Sequence, residues 1–475
     1  MDIKPLSPVS SKKDGTHVSI SEDDALQNVL VEYSAYSREQ IAAIERRLKL
    51  KLDLRLFSCL IIMYILNYID RNALPIAKLV GIESELGLSS TDYASCLSIL
   101  YVGYLLMQIP SNLMLSRMRP SLYLPGAMII WGCVSASTAA THNFAQLMGV
   151  RLVLGFFEAP FFAGAVFLCS SWYKASELSL RIAILFGGSM LSGSFGSLMA
   201  LGITDTMAGV HGLSSWRWLF IIEGGMTIGF AILSMFILPN YPHNTRWLSK
   251  EEAVVAQVRL LDELGNEGDD SSFWQGMSLM LSDPKAWIMM TNHLLITITA
   301  SFTNFFPTIM ATLGFDTRIT YALLSVPYLT GLCIVLLTCW YADRQRQRAY
   351  WIVGNLAVCM VGIAIVGGTL NIPARLIASI LMVSGVTSAS NINLAWIGTS
   401  IPSPKGKRAA AVAAVNMVGN LGNVIGSYLF PDNQAPRYPM ALGVEGGGAI
   451  LAIIGVLLYR LYLARQNQNS FAYVL

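Results

Sequence analysis

The stretch NYIDRNA, Asn67–Ala73, sets an acid beside a base inside an apolar run that extends from about Leu56 to about Val80. A helix needs about 20 apolar residues to cross the hydrocarbon core of a bilayer, and this run is long enough. Each charge near the centre of such a helix costs about 2.5 to 3.5 kcal/mol. Asp70 and Arg71 therefore require partners or a wet cavity.

Apolar runs of this size recur along the whole chain. It has 475 residues, of which 54% are hydrophobic and 13% charged, far below the roughly one-quarter charged composition of soluble domains. Runs fall at roughly 56–80, 92–114, 121–140, 144–170, 180–203, 217–239, 286–312, 319–341, 349–369, 373–400, 408–430 and 441–463. The reading is an all-α multi-pass membrane protein of twelve transmembrane helices in two six-helix bundles. One long polar insertion, Asn240 to Pro284, separates the halves, and in its segment LSKEE Ser249 is placed to cap a helix. The expected organisation is a disordered cytosolic tail over 1–50, ending in an amphipathic piece near Ile41 to Leu50. Bundles over 51–240 and 286–465, a cytosolic central loop over 241–285 and a cytosolic tail over 466–475 follow.

Orientation follows from the basic residues of the short loops. With the first tail cytosolic, inner loops hold Arg117, Arg119, Lys174, Arg181, Arg344, Arg346, Arg348, Lys405, Lys407 and Arg408. Outer loops hold Lys78, Arg217, Arg318, Arg375 and Arg437, so ten against five put both termini inside. Glycines and serines at three- and four-residue spacing in Gly187–Ser197, and Gly419, Gly422 and Gly426, open helix faces to close packing.

Several function classes are excluded on composition. A net charge of +3 without a basic, aromatic-interleaved stripe gives no basis for nucleic-acid binding. The seven cysteines form no metal or redox pattern and read as small buried hydrophobes. No Walker motif supports ATP-driven pumping, and no nucleophile beside a base supports an enzyme. No cofactor is implied.

Few ionisable groups lie deep in a run: Asp70 and Arg71, then Arg151 and Glu158 in RLVLGFFEAP, with Glu223 and His293 less deep. Arg151 and Glu158 are seven apart and share a helix face, with Gly155 between them leaving room. At ~1.5 Å rise per residue, Arg71 and Arg151 reach a similar level. Two arginines facing one cavity repel each other unless an anion joins them, and a carboxylate or phosphate satisfies both through forked hydrogen bonds. The alternative is that Asp70 and Glu158 neutralise the arginines as two buried pairs. On the functional reading those acids compete with the substrate for the arginines and carry protons. Glu223 reads as a structural acid paired with nearby basic groups, Glu445 as an interfacial one, and His293 as a structural histidine.

Taken together, NYIDR, YLLMQIPSN, RLVLGFFEAPFFAG, SWY, WRWLFIIEG and YPHNTRWLSKEE resemble the anion:cation symporters of the major facilitator superfamily. The similarity is greatest to the fungal allantoate permease-like group, and FFPTIMATLGF and NMVGNLGNVIG extend it more loosely to the end of the chain. The resemblance implies two bundles around a mid-plane site that opens alternately to each side. It also implies that Arg71 and Arg151 contact a substrate carboxylate, that Asp70 and Glu158 couple protons, and that Tyr68, Tyr104 and Gln108 add hydrogen bonds. In the second half it implies Trp396, Asn416 and Asn420 as cavity residues and Asp343 with Arg344 as a gating motif. The expected protein is a monomeric proton-coupled symporter of a small organic anion (a carboxylate, vitamin or nitrogen compound) in the plasma membrane, or alternatively the vacuolar one. Export of a metabolite or toxin by the same fold, and a transporter-like nutrient sensor, are the competing readings.

Overall fold

In the computed structural model the described residues are 22–115, 118–242, 244–245, 247–264, 273–345, 347–401 and 404–467. Among them the structure is all-helical, and twelve helices are long and apolar enough to cross a membrane. Spans 1 to 6 are Ser58–Lys78, Ser90–Leu115, Pro120–Ser137, Phe144–Ser170, Ala175–Thr206 and Ser215–Ile237. Span 7 runs from Pro284–Thr299 through a 3-10 break, Ala300–Phe305, into Phe306–Ala311. Spans 8 to 12 are Thr317–Gln345, Arg348–Gly368, Ile372–Ser400, Lys405–Gly426 and Pro439–Asn467. The expected runs agree with these to within a few residues, except that span 8 and the last span extend further and span 5 begins earlier.

Local chemistry sets the ends. Asn143, Asp283 and Asn371 accept the backbone N–H of Gln146, Lys285 and Ala374 and so start spans 4, 7 and 10. In the central loop Ser249 and Glu252 form a reciprocal capping box that starts the helix Lys250–Leu264. A second loop helix, Phe273–Leu281, lies so close to span 11 that a Cβ at Gly276 would stand 2.5 Å from the Gly406 carbonyl oxygen.

The expectation of a disordered tail needs correction. Residues 1–21 lie outside the described residues, but Glu22–Ser34 and Arg38–Leu52 are helices. Ile44, Leu48 and Leu52 form the buried face of the second, which packs on the loop helix Lys250–Leu264. The tail thus finds its apolar partner some 200 residues away, where Leu48 and Leu52 share one buried cluster with Ala256 and with Trp247 and Leu248 packed against it. Charges reinforce the contact: Lys51 bonds Glu252 at 2.6 Å, Lys49 bonds Glu177 at 2.7 Å, and Arg259 pairs with Glu177. At the start of span 1, Asp53 accepts hydrogen bonds from Tyr173 and from Arg181, each at 2.8 Å.

Spans 2 and 4, and spans 3 and 6, lie against each other in the first half, as do spans 9 and 10 in the second. Spans 5 and 8 meet across the half boundary, where a Cβ at Gly193 would come within 2.8 Å of the Tyr328 ring. The face opposite the termini is tied shut by polar contacts between the halves. Lys78 bonds Asp432 at 3.0 Å, Arg318 bonds Asp205 at 2.6 Å, the Tyr321 hydroxyl donates to the Ile76 carbonyl at 3.1 Å, and Ser95 meets Tyr428 at 3.2 Å. Within the first half, Glu85 of the short helix Ile82–Leu86 accepts from Trp216 at 2.6 Å and from Arg217 at 2.9 Å.

Candidate functional site

Span 1 presents Asn67, Tyr68 and Arg71 toward spans 2 and 4. The Arg71 guanidinium donates twice to Glu158 Oε2, from Nε at 3.0 Å and from Nη2 at 2.7 Å. Three tyrosine rings surround it, with centroids at 5.1 Å for Tyr68, 5.0 Å for Tyr104 and 5.8 Å for Tyr101. Their faces attract a cation without neutralising it. Glycine makes this assembly possible, because a Cβ at Gly155 would stand 2.1 Å from the Leu100 carbonyl oxygen and 2.9 Å from the Tyr104 nitrogen. Spans 2 and 4 therefore touch backbone to backbone, which places Tyr104 and Glu158 on the same guanidinium. The expected role of Gly155 as open space between Arg151 and Glu158 is corrected to a helix contact.

Arg151 is only 1% exposed. Its Nη2 donates to the Arg71 backbone carbonyl at 3.4 Å, which puts the two arginines level with each other. Its Nε and Nη1 are buried without a hydrogen-bond partner, as is Glu158 Oε1. A buried donor left unsatisfied costs about 1 to 3 kcal/mol, and more when charged. One carboxylate thus stands near two guanidinium groups and bonds Arg71 alone, leaving an excess positive charge with free donors on Arg151.

Asp70 points elsewhere. Neighbours on a helix diverge by ~100°, and Asp70 turns into the first bundle, fully buried, where Ser135 of span 3 donates to Oδ1 at 2.8 Å and Thr227 of span 6 to Oδ2 at 2.9 Å. The arrangement of two mutually neutralising pairs is absent among the described residues: Arg71–Glu158 is a pair, Asp70 is held by hydroxyls, and Arg151 has no carboxylate.

The second half reaches this site through residues that the sequence reading missed. The Tyr101 hydroxyl donates to Asn304 Oδ1 of span 7 at 3.2 Å, and Asn304 meets Asn423 of span 11 at 3.5 Å. Spacing offered a signal, since Tyr101, Tyr104 and Gln108 share one face of span 2 and Asn416, Asn420 and Asn423 one face of span 11. Gln108 is buried with its Oε1 unpartnered. Asn416 and Asn420 are half-buried, and the Asn420 amide bonds the Asn416 carbonyl at 2.9 Å. Trp396 is fully buried and meets the Tyr459 ring edge-on at 5.0 Å inside the second bundle.

Asp343 bonds Arg348 at 2.9 Å rather than its neighbour Arg344, whose guanidinium lies 5.3 Å over the Trp340 ring. Arg348 also donates to Thr399 at 3.0 Å, so it clasps spans 8, 9 and 10 together. His293 lies 3.4 Å from the Asn393 amide, in keeping with a structural histidine. Glu223 has no basic partner among the described residues, and its electrostatic neighbour is Asp70. Glu445 is fully buried rather than interfacial, and accepts from Ser301 at 3.0 Å at the 3-10 break of span 7.

Comparison with known proteins places the fold and the family. The family described as Major Facilitator Superfamily matches residues 60–427. The chain is 30% identical to "MFS-type transporter cnsO" of Penicillium expansum, over 98% of this chain and 92% of that protein. It is 32% identical to "MFS-type transporter efuF" of Hormonema carpetanum, over 86% and 84%. Among solved structures it is similar in fold to a D-xylose-proton symporter, with TM-score 0.65 and 14% identity over 85% of this chain and 98% of that one. A bacterial homologue of the lysosomal transporter Spinster, in an inward-facing conformation, gives TM-score 0.63 at 14% identity over 86% and 94%.

Proposed function

The chain belongs to the major facilitator superfamily, and on that premise we propose that this membrane transporter carries a small organic anion together with protons, as anion:cation symporters of the allantoate permease-like kind do. The observation that supports this reading most strongly is Arg151, a fully buried guanidinium with two free donors beside the Arg71–Glu158 pair. A carboxylate entering between Arg71 and Arg151 supplies the missing acceptors and the missing negative charge. Glu158 then competes with the substrate for Arg71, and Asp70 and Glu158 are the acids that couple proton movement to it. Tyr68 and Tyr104 border the anion, and Tyr101 links this cluster to Asn304 in the second half, the contact through which binding reaches the other bundle. Alternating access follows as the halves rock about the site, with the face closed by Lys78–Asp432 and Tyr321 opening in turn. Both termini are cytosolic, in accord with the basic loops, and the plasma membrane is the site of action.

The test is a thermal-shift screen of purified protein against labelled and unlabelled carboxylates, nicotinate, allantoate, gluconate and benzoate among them. A carboxylate that stabilises the wild type and fails to stabilise both Arg71→Ala and Arg151→Ala supports the anion site. Stabilisation that survives in both variants overturns it.

A further inference from the structure

The first bundle contains a second acid that the anion site does not use. Glu223 lies in span 6, fully buried, with both carboxylate oxygens free of any hydrogen-bond partner. Thr227, one turn along the same face, donates to Asp70 at 2.9 Å, which brings the two carboxyl groups into one pocket between spans 1, 3 and 6. Both acids lie about eight residues, or ~12 Å, from the ends of their helices on the face opposite the termini. Spans 3 and 6 seal the pocket by close backbone approach, since a Cβ at Gly224 would stand 2.6 Å from the Gly132 carbonyl oxygen.

The elements packed on span 6 are spans 1, 3 and 5 and the turn Thr138–Ala140. Of their titratable groups among the described residues, Asp70 is the charged neighbour of Glu223, and Glu158 of span 4 is in turn the charged neighbour of Asp70. Ser135 and Trp131 of span 3 adjoin Asp70 and carry no charge. No ion pair reaches either acid among the described residues. Two ionised carboxylates without a cation in such a site would each carry a desolvation penalty of several kcal/mol and repel one another.

The second half supplies a contrast. Glu445-Gly446-Gly447 in span 12 repeats Glu223-Gly224-Gly225 in span 6, and Asn304-Phe305-Phe306-Pro307 in span 7 repeats the Asn-x-x-Pro of Asn72–Pro75 in span 1. Glu445 meets a serine hydroxyl and the backbone of the 3-10 break, which accounts for it structurally. Its counterpart Glu223 has no hydrogen-bond partner among the described residues and has a second acid as its charged neighbour. The glutamate is shared by both halves, whereas the acid pair belongs to the first alone.

We propose that Glu223 and Asp70 together form the proton-binding site of this transporter, two neighbouring carboxyl groups that are not both ionised at once, on the face of span 1 turned away from the arginines. The proposal rests on the reading of the chain as proton-coupled, and it moves the coupling proton from the Arg71–Glu158 pair into the bundle. With the proton bound, one carboxyl is neutral, the repulsion between them is absent and spans 1 and 6 stay together. When it leaves, the two carboxylates repel each other and push span 1 away from span 6, and Arg71, the next residue along, moves with it.

Infrared difference spectroscopy of the purified full-length protein in liposomes, titrated with pH, tests this without any substrate. The wild type is expected to show a protonated-carboxyl C=O stretch at neutral pH that disappears in Glu223→Gln. In Asp70→Asn the titration midpoint of that band is expected to move by a unit or more. Gel filtration and the melting temperature first confirm that each variant is folded, and Glu223→Asp, which keeps the carboxyl, is expected to restore the band. A band of wild-type size and midpoint in both Glu223→Gln and Asp70→Asn overturns the proposal. The two readings fail separately. Loss of the band in Glu223→Gln with no pH-driven uptake of any tested carboxylate by the wild type leaves the acid pair standing and removes the symport reading. Uptake driven by pH with an unchanged band does the reverse.

Discussion

At the scale of single residues, the adjacency of Asp70 and Arg71 is a division of labour set by helix geometry. One side chain enters the bundle and the other enters the candidate site, and they have no hydrogen-bond partner in common among the described residues. Glu158 is the residue on which the proposed competition turns. Glu158→Gln keeps the shape but weakens the hold on Arg71, so carboxylate uptake is expected to show a KM several-fold lower than the wild type and to keep its dependence on the pH gradient, which the acids of the first bundle carry. Initial rates measured against substrate concentration at two external pH values check both effects. The charged residues were legible in the sequence because charge inside an apolar run has few innocent explanations. Their partners were less so. That Arg71 would take Glu158 and leave Arg151 free depends on rotamers and helix rotation, and Glu223 was misread because its neighbour Asp70 lies 153 positions away. Tyr101, Asn304 and Asn423 carry no charge, and the helical spacing that sets Tyr101 beside Tyr104 and Asn423 beside Asn420 marks a face without saying what that face meets.

At the scale of elements, the span boundaries were legible to within a few residues because apolar length and capping chemistry are local. What the sequence concealed were contacts made by backbone. Gly155 and Gly103 carry spans 2 and 4 into contact, and a Cβ at Gly103 would stand 2.4 Å from the Leu152 carbonyl oxygen. Gly155→Ala is expected to cost about 1 to 3 kcal/mol, as overpacking of a filled interior does, and to pull Tyr104 off Arg71. A lower melting temperature together with weaker carboxylate binding checks this, and Gly149→Ala, with open space around its Cβ position, serves as the neutral control.

The helices flanking the first bundle give a prediction with a defined sign. Burial alone would push the Glu252 carboxyl up, but the Lys51 ammonium and the Ser249 backbone N–H outweigh it and hold Glu252 below the usual carboxylate range. A folded-state value lower than the unfolded one, about 4.3, stabilises the docked loop helix above that pH, and the contribution is lost as the pH falls through the lower folded value. Amides of Lys250–Leu264 are therefore expected to keep their protection from hydrogen exchange at about pH 6 and to lose part of it by about pH 3. In Glu252→Gln the difference attributable to this residue disappears.

At the scale of the whole molecule, the structure captures one side closed. The contacts of Lys78, Ser95, Arg318 and Tyr321 join the halves on the face away from the termini. The Asp432 backbone N–H donates to Ser90 Oγ at 3.3 Å on that face, so cysteines at these two positions come within disulfide reach. Oxidised Ser90→Cys/Asp432→Cys is expected to lose uptake and to recover it on reduction, whereas full uptake in the oxidised state would mean that this face need not open. The six-plus-six division and the common side of both termini were readable from twelve spans and one long insertion. The closed face was not, because its contacts run between loops and helix ends more than 100 residues apart.

The central claim is that the buried guanidinium of Arg151 receives a carboxylate whose entry is driven by protons. Uptake of the stabilising carboxylate into proteoliposomes, with the outside more acidic than the inside, tests it directly. The wild type is expected to accumulate the anion against its gradient and to lose that accumulation on addition of a protonophore, while Arg151→Ala retains less than about a tenth of the rate, the loss expected when about 1.4 kcal/mol or more of binding is removed. Transport by Arg151→Ala at the wild-type rate would contradict the account.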